Sequence, residues 1–579
     1  MQISGWRCPQ LGVQALLAIG VLAIGALAHA EDASSPAWWT NAVIYEIYPR
    51  SFQDSNGDGV GDLNGIEQRL AYLEKLGIDA IWIAPMYPSP QVDFGYDISD
   101  YDNVDPQYGT LADFDRLLAS ARKHHIRILL DMVLNHTSDK HRWFLAAAGS
   151  KDDAKHDFYV WNNGRAGTSP PAPPNNWESF FGGSAWTFVP AVQQFYYHKF
   201  YRQQPDLNWR NPAVERAMFD AMRFWLDRGV AGFRLDAITT LFEDPELRDE
   251  PLVGGTNAYG DPVLNDIYTS NMPEVHDVIK RMRAMVARYP DDRVLIGETY
   301  LQNTAELDQW YGGARHDELQ LPMDTQIGFT EKFDAAGIRR KLQELETGIH
   351  GSQPLLVFDN HDNVRSIDRF GDGTHDMEIA KLIAALLLTS KDAALLYQGE
   401  EIGQRTATPK RVEDVKDPIG ISGWPKEKGR DGERTPMQWD LSNAQAGFSS
   451  NLKTWLPVTP SYRTINVQTE WADPDSLLNW HQKLIDLRRQ AVAKHAHTVF
   501  LDEMNPKVLS YARLNPDGQA LIVVLNISKE PQTVKLDLNA AGVRRGPLST
   551  VMSSPASMQR PANEKQLKLP PYGTWIGTR

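Results

Sequence analysis

Cysteine is almost absent from this chain: the 579-residue sequence contains one, Cys8. A single cysteine cannot close a disulfide within the chain, and it also leaves too few thiolates for a cysteine-based metal site. Positive charge is scarce as well, because 59 Lys and Arg residues stand against 74 Asp and Glu residues, a net charge of −15. An acidic chain is a poor ligand for nucleic acid or for an anionic membrane surface, so neither is expected as a partner.

The first thirty residues have the features of a signal peptide. Arg7 gives a weakly basic start, an apolar run follows at 16–28, and Ala28-His-Ala30 forms a small-x-small cleavage site. A membrane anchor is the alternative, but the run is short for a full span. The pattern predicts a signal peptide at 1–30 that takes Cys8 with it. We expect an exported chain, in the periplasm or outside the cell, with no stable membrane association after cleavage.

The rest of the chain shows no internal repeat, and β-rich runs alternate with helical ones. Helical patterns at 66–76, 114–123, 214–227, 273–288 and 377–388 separate strand-like runs, and this alternation is typical of a parallel sheet. The sequence therefore predicts an α/β fold, a (β/α)8 TIM barrel. Its eight strands are expected at residues 43–48, 79–84, 126–133, 232–235, 294–297, 318–321, 354–358 and 393–397.

Two segments depart from the barrel pattern. About 70 residues rich in Trp, Gly and Pro separate the third and fourth runs, too many for a simple connection, so 137–206 is expected to be an inserted small domain. A last helix near 477–491 is followed by alternating strand-like runs, which predict a C-terminal antiparallel β-sandwich at 495–579. The catalytic barrel then comprises 37–136 and 207–494, and the excursion 403–440 is expected to reach back over the barrel mouth.

Acidic and polar residues follow several of the predicted barrel strands. The stretches are DMVLNH at 131–136, GFRLD at 232–236, GE at 297–298 and FDNHD at 358–362. Parallel barrel strands all end at one face, which is the face that carries the active site in enzymes of this fold. The sequence therefore predicts an enzyme that works with carboxylates.

These stretches, together with GYDISDY at 95–101, QPDLNW at 204–209, YQGEEIG at 397–403 and RTPMQWD at 434–440, resemble the glycoside hydrolase family of the α-amylases. Within it they look like the α-glucosidase/oligo-1,6-glucosidase branch, and the resemblance covers nearly all of the mature chain. It implies a retaining mechanism in which Asp236 is the nucleophile, Glu298 the acid/base and Asp362 the third carboxylate. Glu298 must be protonated at rest, and crowding by the other two acids is the expected cause.

The same resemblance implies the sugar-binding residues. Arg234 stands two residues before Asp236, so on a strand both side chains point to one side and its cation is expected to keep Asp236 ionised. Arg434 is expected to pair with Asp93 and close the pocket floor, which would make the enzyme exo-acting. The other positions implied are the histidines His136 and His361 on the first sugar, the stacking residue Tyr96, the aromatic walls Phe181 and Phe200, and the acceptor-side contact Arg365.

Ala237, directly after the predicted nucleophile, bears on linkage. In the branch that the chain resembles, valine at this position goes with α-1,6 substrates and alanine or threonine with α-1,4. The resemblance thus implies an exo-acting α-glucosidase that prefers maltose and short malto-oligosaccharides, with some transglycosylation. An oligo-1,6-glucosidase, a transferring or isomerising relative (trehalose synthase, sucrose isomerase) and a non-catalytic transporter heavy chain are the alternatives. Small α-glucosides are the expected partners, and the sequence carries no sign of an oligomeric state.

An acidic loop after the first predicted strand has the spacing of a metal-binding loop. Its candidate ligands occupy positions 1, 3, 5, 7 and 9 of an EF-hand-like pattern, without the glutamate at position 12. We expect a structural Ca²⁺, with Mg²⁺ as the alternative and no organic cofactor. The ligands would be Asp54, Asn56, Asp58, the Val60 carbonyl and Asp62.

Overall fold

The computed structural model describes residues 37–167, 171–301, 303–352, 354–391, 393–492, 497–556, 558 and 567–579. Contacts separate the chain into two units, Met1–Thr40 and Asn41–Arg579. The predicted signal peptide at 1–30 and the predicted boundary at 494–495 lie outside the described residues. Within the described part of the chain, no helix combines the length and the apolar character that crossing a membrane requires.

Eight parallel strands close into a barrel, each hydrogen-bonded to the next and the last to the first. The predicted TIM barrel is therefore confirmed. The strands are β1 Val43–Ile47, β2 Ala80–Ile83, β3 Arg127–Val133, β4 Gly232–Asp236, β5 Val294–Gly297, β6 Leu321–Asp324, β7 Leu355–Val357 and β8 Ala393–Tyr397.

The prediction of the sixth strand at 318–321 is wrong by three residues, because β6 begins at Leu321. Glu318 lies before the strand, where its carboxylate is 2.7 Å from His276 Nδ1. Gln320 forms hydrogen bonds through its side chain, accepting from Leu295 N at 2.9 Å and donating to Arg293 O at 2.8 Å. Polar side chains thus occupy two of the four positions predicted for the strand.

Helices surround the barrel, and their ends carry ordinary capping signals. Pro212–Arg228 begins after Asn211, whose side chain accepts from Ala213 N, and stops at Gly229, where φ is 99°. The helix predicted at 66–76 is two helices, because Arg69 breaks it with φ −101° and ψ 3°. The remaining helices are Pro49–Phe52, Leu63–Gln68, Leu70–Leu76, Leu111–Lys123, Arg142–Gly149, Glu274–Val286, Thr304–Trp310, Ala335–Gly348, Ser366–Phe370, Asp376–Thr389, Pro418–Gly423, Val467–Ala472 and Leu477–Leu487.

The insertion after β3 contains a small antiparallel sheet. Its strands are Trp161–Asn162, Trp186–Val189 and Gln194–Tyr197, with the last in the middle. A hairpin that the sequence did not predict, Leu252–Thr256 and Pro262–Leu264, follows β4. The hairpin is tied to the insertion, since Asp261 accepts from Gly183 N at 2.7 Å. The hairpin therefore packs against the insertion.

Antiparallel sheets form the C-terminal part. A five-stranded sheet contains His497–Leu501, Val508–Leu514, Ala520–Asn526, Thr574–Thr578 and Ser549–Ser554 in that spatial order, and a second sheet pairs Gln532–Val534 with Leu567–Leu569. Buried side chains of both sheets share one core, including Ile522, Val534 and Leu569, so the predicted sandwich is confirmed. The strands at 549–554 and 567–569 were not predicted.

Candidate active site

The three predicted catalytic acids stand at the carboxyl ends of barrel strands. Asp236 is the last residue of β4, Glu298 follows β5 directly, and Asp362 lies in the loop after β7. The register aligns Leu235 with Gly297, and Glu298 N donates to Leu235 O at 3.0 Å. Strand pairing therefore brings the first two acids side by side, as the motifs predicted.

Arg234 is the buried cation that joins these acids. Its Nη1 lies 2.5 Å from Asp236 Oδ1 and 3.2 Å from Asp131 Oδ1, and its Nη2 lies 2.6 Å from Glu298 Oε1. The guanidinium sits over the Trp82 ring, 4.8 Å from the centroid. The expectation that Arg234 and Asp236 share one side of the strand is confirmed.

Burial is the largest influence on the pKa values of Asp236 and Glu298. It raises the pKa of Asp236 to about 7, although Arg234 lowers that pKa and Asp131 raises it further. It also raises the pKa of Glu298 to about 7, with Arg234 opposing and then Asp236 and Asp362 adding to the rise. Crowding by the other acids is thus a secondary cause for Glu298. Arg234 does not hold the pKa of Asp236 in the ordinary carboxylate range.

Asp362 behaves in the opposite way. Burial would raise its pKa, but His361, Arg430 and Arg434 outweigh burial and hold the pKa well below the ordinary range. Its Oδ1 lies 3.0 Å from Arg430 Nη1 and 2.7 Å from Arg434 Nη2. Asp362 is therefore a permanently charged acid beside two acids that can hold a proton.

The expected pairing of Asp93 with Arg434 is wrong. Asp93 Oδ1 is held by Arg430 Nη2 at 2.7 Å, while Arg434 donates to His361 O at 2.8 Å and to Asp362. Arg430 also forms an ion pair with Asp417, in which Nε lies 2.8 Å from Oδ2. The sequence places both arginines in one excursion, and only the folded geometry shows which of them reaches Asp93.

The two histidines take different positions. His136 lies on the cavity wall, with Nε2 3.2 Å from Tyr96 O and 3.1 Å from Gln204 Nε2. His361 is fully buried behind Tyr96, with its ring stacked on that of Tyr96 at 5.4 Å and Nε2 2.8 Å from the tyrosine hydroxyl. The expected contact between His361 and the first sugar is therefore not supported, because His361 does not reach the cavity wall.

These residues enclose a cavity of about 220 Å³. Pockets for larger ligands usually measure ~300–1,000 Å³, so this one suits a single sugar ring. Predicted residues on its wall are Asp93, Tyr96, His136, Phe181, Phe200, Asp236, Ala237, Glu298 and Asp362. Sequence reasoning missed Phe180, Tyr300, Ile419 and Arg430.

Two of the missed residues are exposed aromatics at the mouth. Phe180 is 45% exposed and Tyr300 is 46% exposed. The Tyr300 hydroxyl accepts from Asn360 Nδ2 at 3.1 Å. Tyr300 stands two residues after Glu298, and that proximity in sequence is the one signal that could have found it. Ile419 comes from the 403–440 excursion, which lies at the mouth as predicted.

The prediction of Arg365 as an acceptor-side contact is wrong. Arg365 is fully buried and donates to Gln398 O at 3.0 Å and to Glu433 O at 2.9 Å. Its guanidinium packs over Tyr397 at 4.6 Å. Arg365 thus fixes the excursion that carries Arg434 instead of meeting a ligand.

In the acidic loop at 54–62, carboxylate side chains accept hydrogen bonds from backbone N–H groups of the same loop. Asp54 Oδ1 accepts from Asn56 N at 3.0 Å and Gly57 N at 2.7 Å, and Asp58 Oδ1 accepts from Val60 N at 2.8 Å. Asp62 caps the helix Leu63–Gln68 by accepting from Gly65 N at 2.8 Å. Three carboxylates and an amide in nine residues suit a hard cation such as Ca²⁺. In the described part of the chain, however, no three acidic, histidine or cysteine side chains are grouped as a metal site.

A closed parallel barrel with buried acids at the strand ends and a one-ring pocket is the arrangement of an enzyme that works with carboxylates on a small substrate. The catalytic-domain profile of the alpha-amylase family matches residues 46–496, so the chain belongs to that family. A probable alpha-glucosidase of Rhizobium meliloti is 40% identical over 86% of this chain and 91% of its own length. An oligo-1,6-glucosidase of Parageobacillus thermoglucosidasius is 38% identical over 86% and 92%.

Solved structures agree in fold. The alpha-glucosyl transfer enzyme XgtA superposes with a TM-score of 0.85 at 37% identity, over 94% of this chain and 100% of its own. An isomaltulose synthase mutant from Erwinia rhapontici NX5 gives 0.84 at 33% identity, over 94% and 99%. The chain is a glycoside hydrolase of the glucosidase type and not a non-catalytic transporter heavy chain.

Proposed function

We propose that the protein is a retaining, exo-acting α-glucosidase that releases α-glucose from maltose and short malto-oligosaccharides. The carrying observation is the ion-pair network on the cavity wall, where Arg430 binds Asp93 at 2.7 Å and Asp362 at 3.0 Å and so closes one end of the pocket. A pocket closed by an ion pair admits one terminal sugar and no continuing chain. Phe181 and Phe200 line the same cavity.

The mechanism follows from the placement of the two acids. Asp236 attacks the anomeric carbon, and the bond to the leaving oxygen breaks as Glu298 gives that oxygen its proton. Water then loses a proton to Glu298 and displaces Asp236, which restores both groups and retains the α configuration. A pKa of about 7 allows Glu298 to serve as acid and then as base near neutral pH.

Preference for α-1,4 bonds rests on Ala237. It lies on the cavity wall next to Asp236, and its N–H donates to Glu298 Oε2 at 2.8 Å. A methyl side chain leaves room beside the acid/base for the leaving sugar. Among the relatives are enzymes named both for maltose and for α-1,6 bonds, such as a Maltase 1 of Drosophila virilis that is 40% identical over 86% of this chain and 79% of its own.

Glucosyl transfer or isomerisation is the second candidate, because the two solved relatives are named for transfer and synthesis. Arg365 and Arg369 bear on this choice. Both donate to backbone carbonyls, Arg365 to those of Gln398 and Glu433 and Arg369 to those of Val364 and Gly328. A free guanidinium at the mouth could hold an acceptor sugar by hydrogen bonds. The stretch 365–370 presents no such arginine, which favours water as the acceptor.

Two further proposals concern the chain outside catalysis. The loop at 54–62 binds a structural Ca²⁺ through the residues predicted above, and its tight turns and acidic donor set support this. The chain is exported through the signal peptide at 1–30, supported by the apolar run and the Ala28-His-Ala30 site. A cleaved chain would work on small α-glucosides in the periplasm or outside the cell.

The deciding experiment is digestion of maltose, isomaltose, sucrose and trehalose by the purified mature chain, followed by NMR. Early α-glucose from maltose, faster than from isomaltose, is expected. Early β-glucose would overturn the retaining mechanism, and faster isomaltose cleavage would overturn the linkage. Conversion of one disaccharide into another with little free glucose would replace hydrolysis by transfer.

A further inference from the structure

A further buried acid, outside the set that the motifs predicted, lies off the cavity wall. Glu46 is on β1, fully buried, with Oε1 2.5 Å from His361 Nδ1. Neither residue is on the cavity wall. His361 lies between two tyrosine rings, stacked on Tyr48 at 5.4 Å and on Tyr96 at 5.4 Å. The imidazole therefore cannot rotate freely, and its two nitrogens have fixed partners.

Glu46, His361, Tyr96 and Asp131 form a row of hydrogen-bonded side chains. The hydrogens in this row can be assigned by starting from Asp131. Asp131 accepts from Arg234 Nη1 at 3.2 Å and from Trp82 Nε1 at 3.1 Å, so it acts as an acceptor. The Tyr96 hydroxyl lies 3.1 Å from Asp131 Oδ2, and its single hydrogen belongs in that contact. His361 Nε2, 2.8 Å from the same hydroxyl oxygen, must then carry a hydrogen and donate it.

Asp362 supports the same assignment. Its Oδ2 lies 3.5 Å from His361 Nε2, and a carboxylate oxygen is attracted by an N–H and repelled by a bare ring nitrogen. On the other side of the ring, a contact of 2.5 Å between Glu46 and Nδ1 requires a hydrogen between them. The row thus needs one hydrogen on each side of the imidazole.

We propose that Glu46 is a positioning residue that shares one proton with His361, so that Nε2–H donates to Tyr96 and the Tyr96 hydroxyl is aimed at Asp131. Hydrogen bonds then run in one direction from Glu46 through His361 and Tyr96 to Asp131. Arg234 connects Asp131 to Asp236 and Glu298. Glu46 acts on the reaction by holding the Tyr96 ring, which is on the cavity wall.

Electrostatics favour a pair with no net charge. Burial raises the pKa of Glu46 well above the ordinary carboxyl range, although Arg234 opposes the rise. Burial also lowers the pKa of the His361 imidazole well below its ordinary value. A proton shared between the Glu46 carboxyl and His361 Nδ1 leaves the pair without net charge, which avoids an unpaired charge in the barrel interior. If the shared proton moves from the Glu46 carboxyl to His361 Nδ1, Nε2 keeps its hydrogen and the rest of the row is unchanged.

A double-mutant cycle tests the action through Tyr96. E46L should lower kcat/KM for 4-nitrophenyl α-glucoside by about 10-fold or more in the wild-type background, but by less than about 2-fold in a Y96F background. Equal losses in both backgrounds, or no loss from E46L, would overturn the proposal. E401L is the matched control, because Glu401 is a buried acid bonded to the Tyr45 and Tyr72 hydroxyls outside the pocket. Rates are expressed per folded molecule, from circular dichroism.

The conservative variant and a spectroscopic readout separate positioning from packing. E46Q can still donate to Nδ1, so it should stay within about 3-fold of wild-type kcat/KM, whereas E46L does not. In protein labelled with ring-¹⁵N histidine, the His361 signal should show a hydrogen on Nε2 in the wild type and in E46Q. A bare Nε2 in the wild type would overturn the assignment. This readout needs no substrate, so it stands or falls separately from the proposed α-glucosidase function.

Discussion

Asp93 and Asp362 are held by the same guanidinium. Arg430 Nη2 lies 2.7 Å from Asp93 Oδ1, and Nη1 lies 3.0 Å from Asp362 Oδ1. Asp93 comes from the loop after β2 and Asp362 from the loop after β7, so Arg430 links loops whose strands are separated in the barrel by β1 and β8. The excursion at 403–440 thereby closes the pocket and keeps the third carboxylate charged.

Replacing Arg430 by lysine should open this end of the pocket. One ammonium cannot hold three carboxylates, and each charged hydrogen bond lost costs about 1.5–3 kcal/mol, so kcat/KM for maltose should fall by at least about 100-fold. The measurement is kcat/KM together with product inhibition by glucose, which should weaken. R405K is the control, because Arg405 also joins two carboxylates, of Asp368 and Asp376, away from the cavity. A similar loss in both variants would mean that R430K acts through general destabilisation.

Asp236→Asn should remove turnover while the fold is kept. The amide cannot attack the anomeric carbon, and loss of a nucleophile lowers kcat by at least about 10⁴-fold. Glucose release and thermal unfolding are measured on the same sample. D324N is the control, because Asp324 is a buried acid at the end of β6 that does not line the cavity. A folded D236N enzyme with near-normal kcat would contradict the nucleophile assignment.

The parts of this molecule that the sequence predicted well are those set by local pattern. β5 and β8 begin and end at the predicted residues, because apolar runs of four or five residues are bounded by clear loop signals. Glu298 follows β5 directly, so finding the strand also found the acid. The sixth strand failed because its flanking residues, Glu318 and Gln320, are polar and bond through side chains.

The partners of buried charges could not be predicted in this way. Arg430 meets Asp93 across 337 positions of sequence, and Arg434, four residues further on, is equally plausible before the fold is known. Glu46 and His361 are 315 positions apart. Which arginine or acid completes a contact depends on side-chain reach across the barrel, and neither propensity nor periodicity carries that information.

Ala237→Val should shift preference toward isomaltose and lower stability. Ala237 has φ 46° and ψ 33°, and a β-branched residue in this left-handed region costs about 1–3 kcal/mol. The ratio of kcat/KM for isomaltose and maltose should rise, and the Tm should fall. A237G is the control, because glycine relieves the strain without adding bulk and should raise the Tm. An unchanged ratio in A237V would remove Ala237 from the specificity argument.

Removal of divalent metal should lower the Tm of the wild type more than it lowers kcat at low temperature. A cation that binds only the folded loop stabilises it by RT ln(1 + [L]/Kd), or about 2.7 kcal/mol at 100 times Kd. Thermal unfolding in EDTA and in excess Ca²⁺ is the measurement. D58N, which changes an exposed donor, should reduce the difference between the two conditions. Equal Tm values in EDTA and Ca²⁺ would argue against a bound cation.

The pH dependence should report the two acids held by Arg234. Turnover requires Asp236 ionised and Glu298 protonated, and burial raises the pKa of each to about 7, so kcat/KM should show a narrow optimum near neutral pH. A raised folded-state pKa stabilises the fold most below the unfolded pKa of about 4, and this contribution is lost as pH rises through about 7. Asp362, whose pKa is held low, has the opposite slope, because its contribution is lost only as pH falls below about 4.

Glu298→Gln isolates one of these groups. Glutamine has no proton to lose, so the fall in Tm between pH 5 and pH 8 should be smaller in E298Q than in the wild type. Substrates that need protonation of the leaving oxygen should lose turnover at every pH, whereas a glucoside with a good leaving group, such as 4-nitrophenyl α-glucoside, should be affected less in the first step. Glu413→Gln, at an exposed position of the excursion, is the control and should keep the wild-type slope. If E298Q keeps that slope as well, burial of Glu298 is not what makes the stability depend on pH.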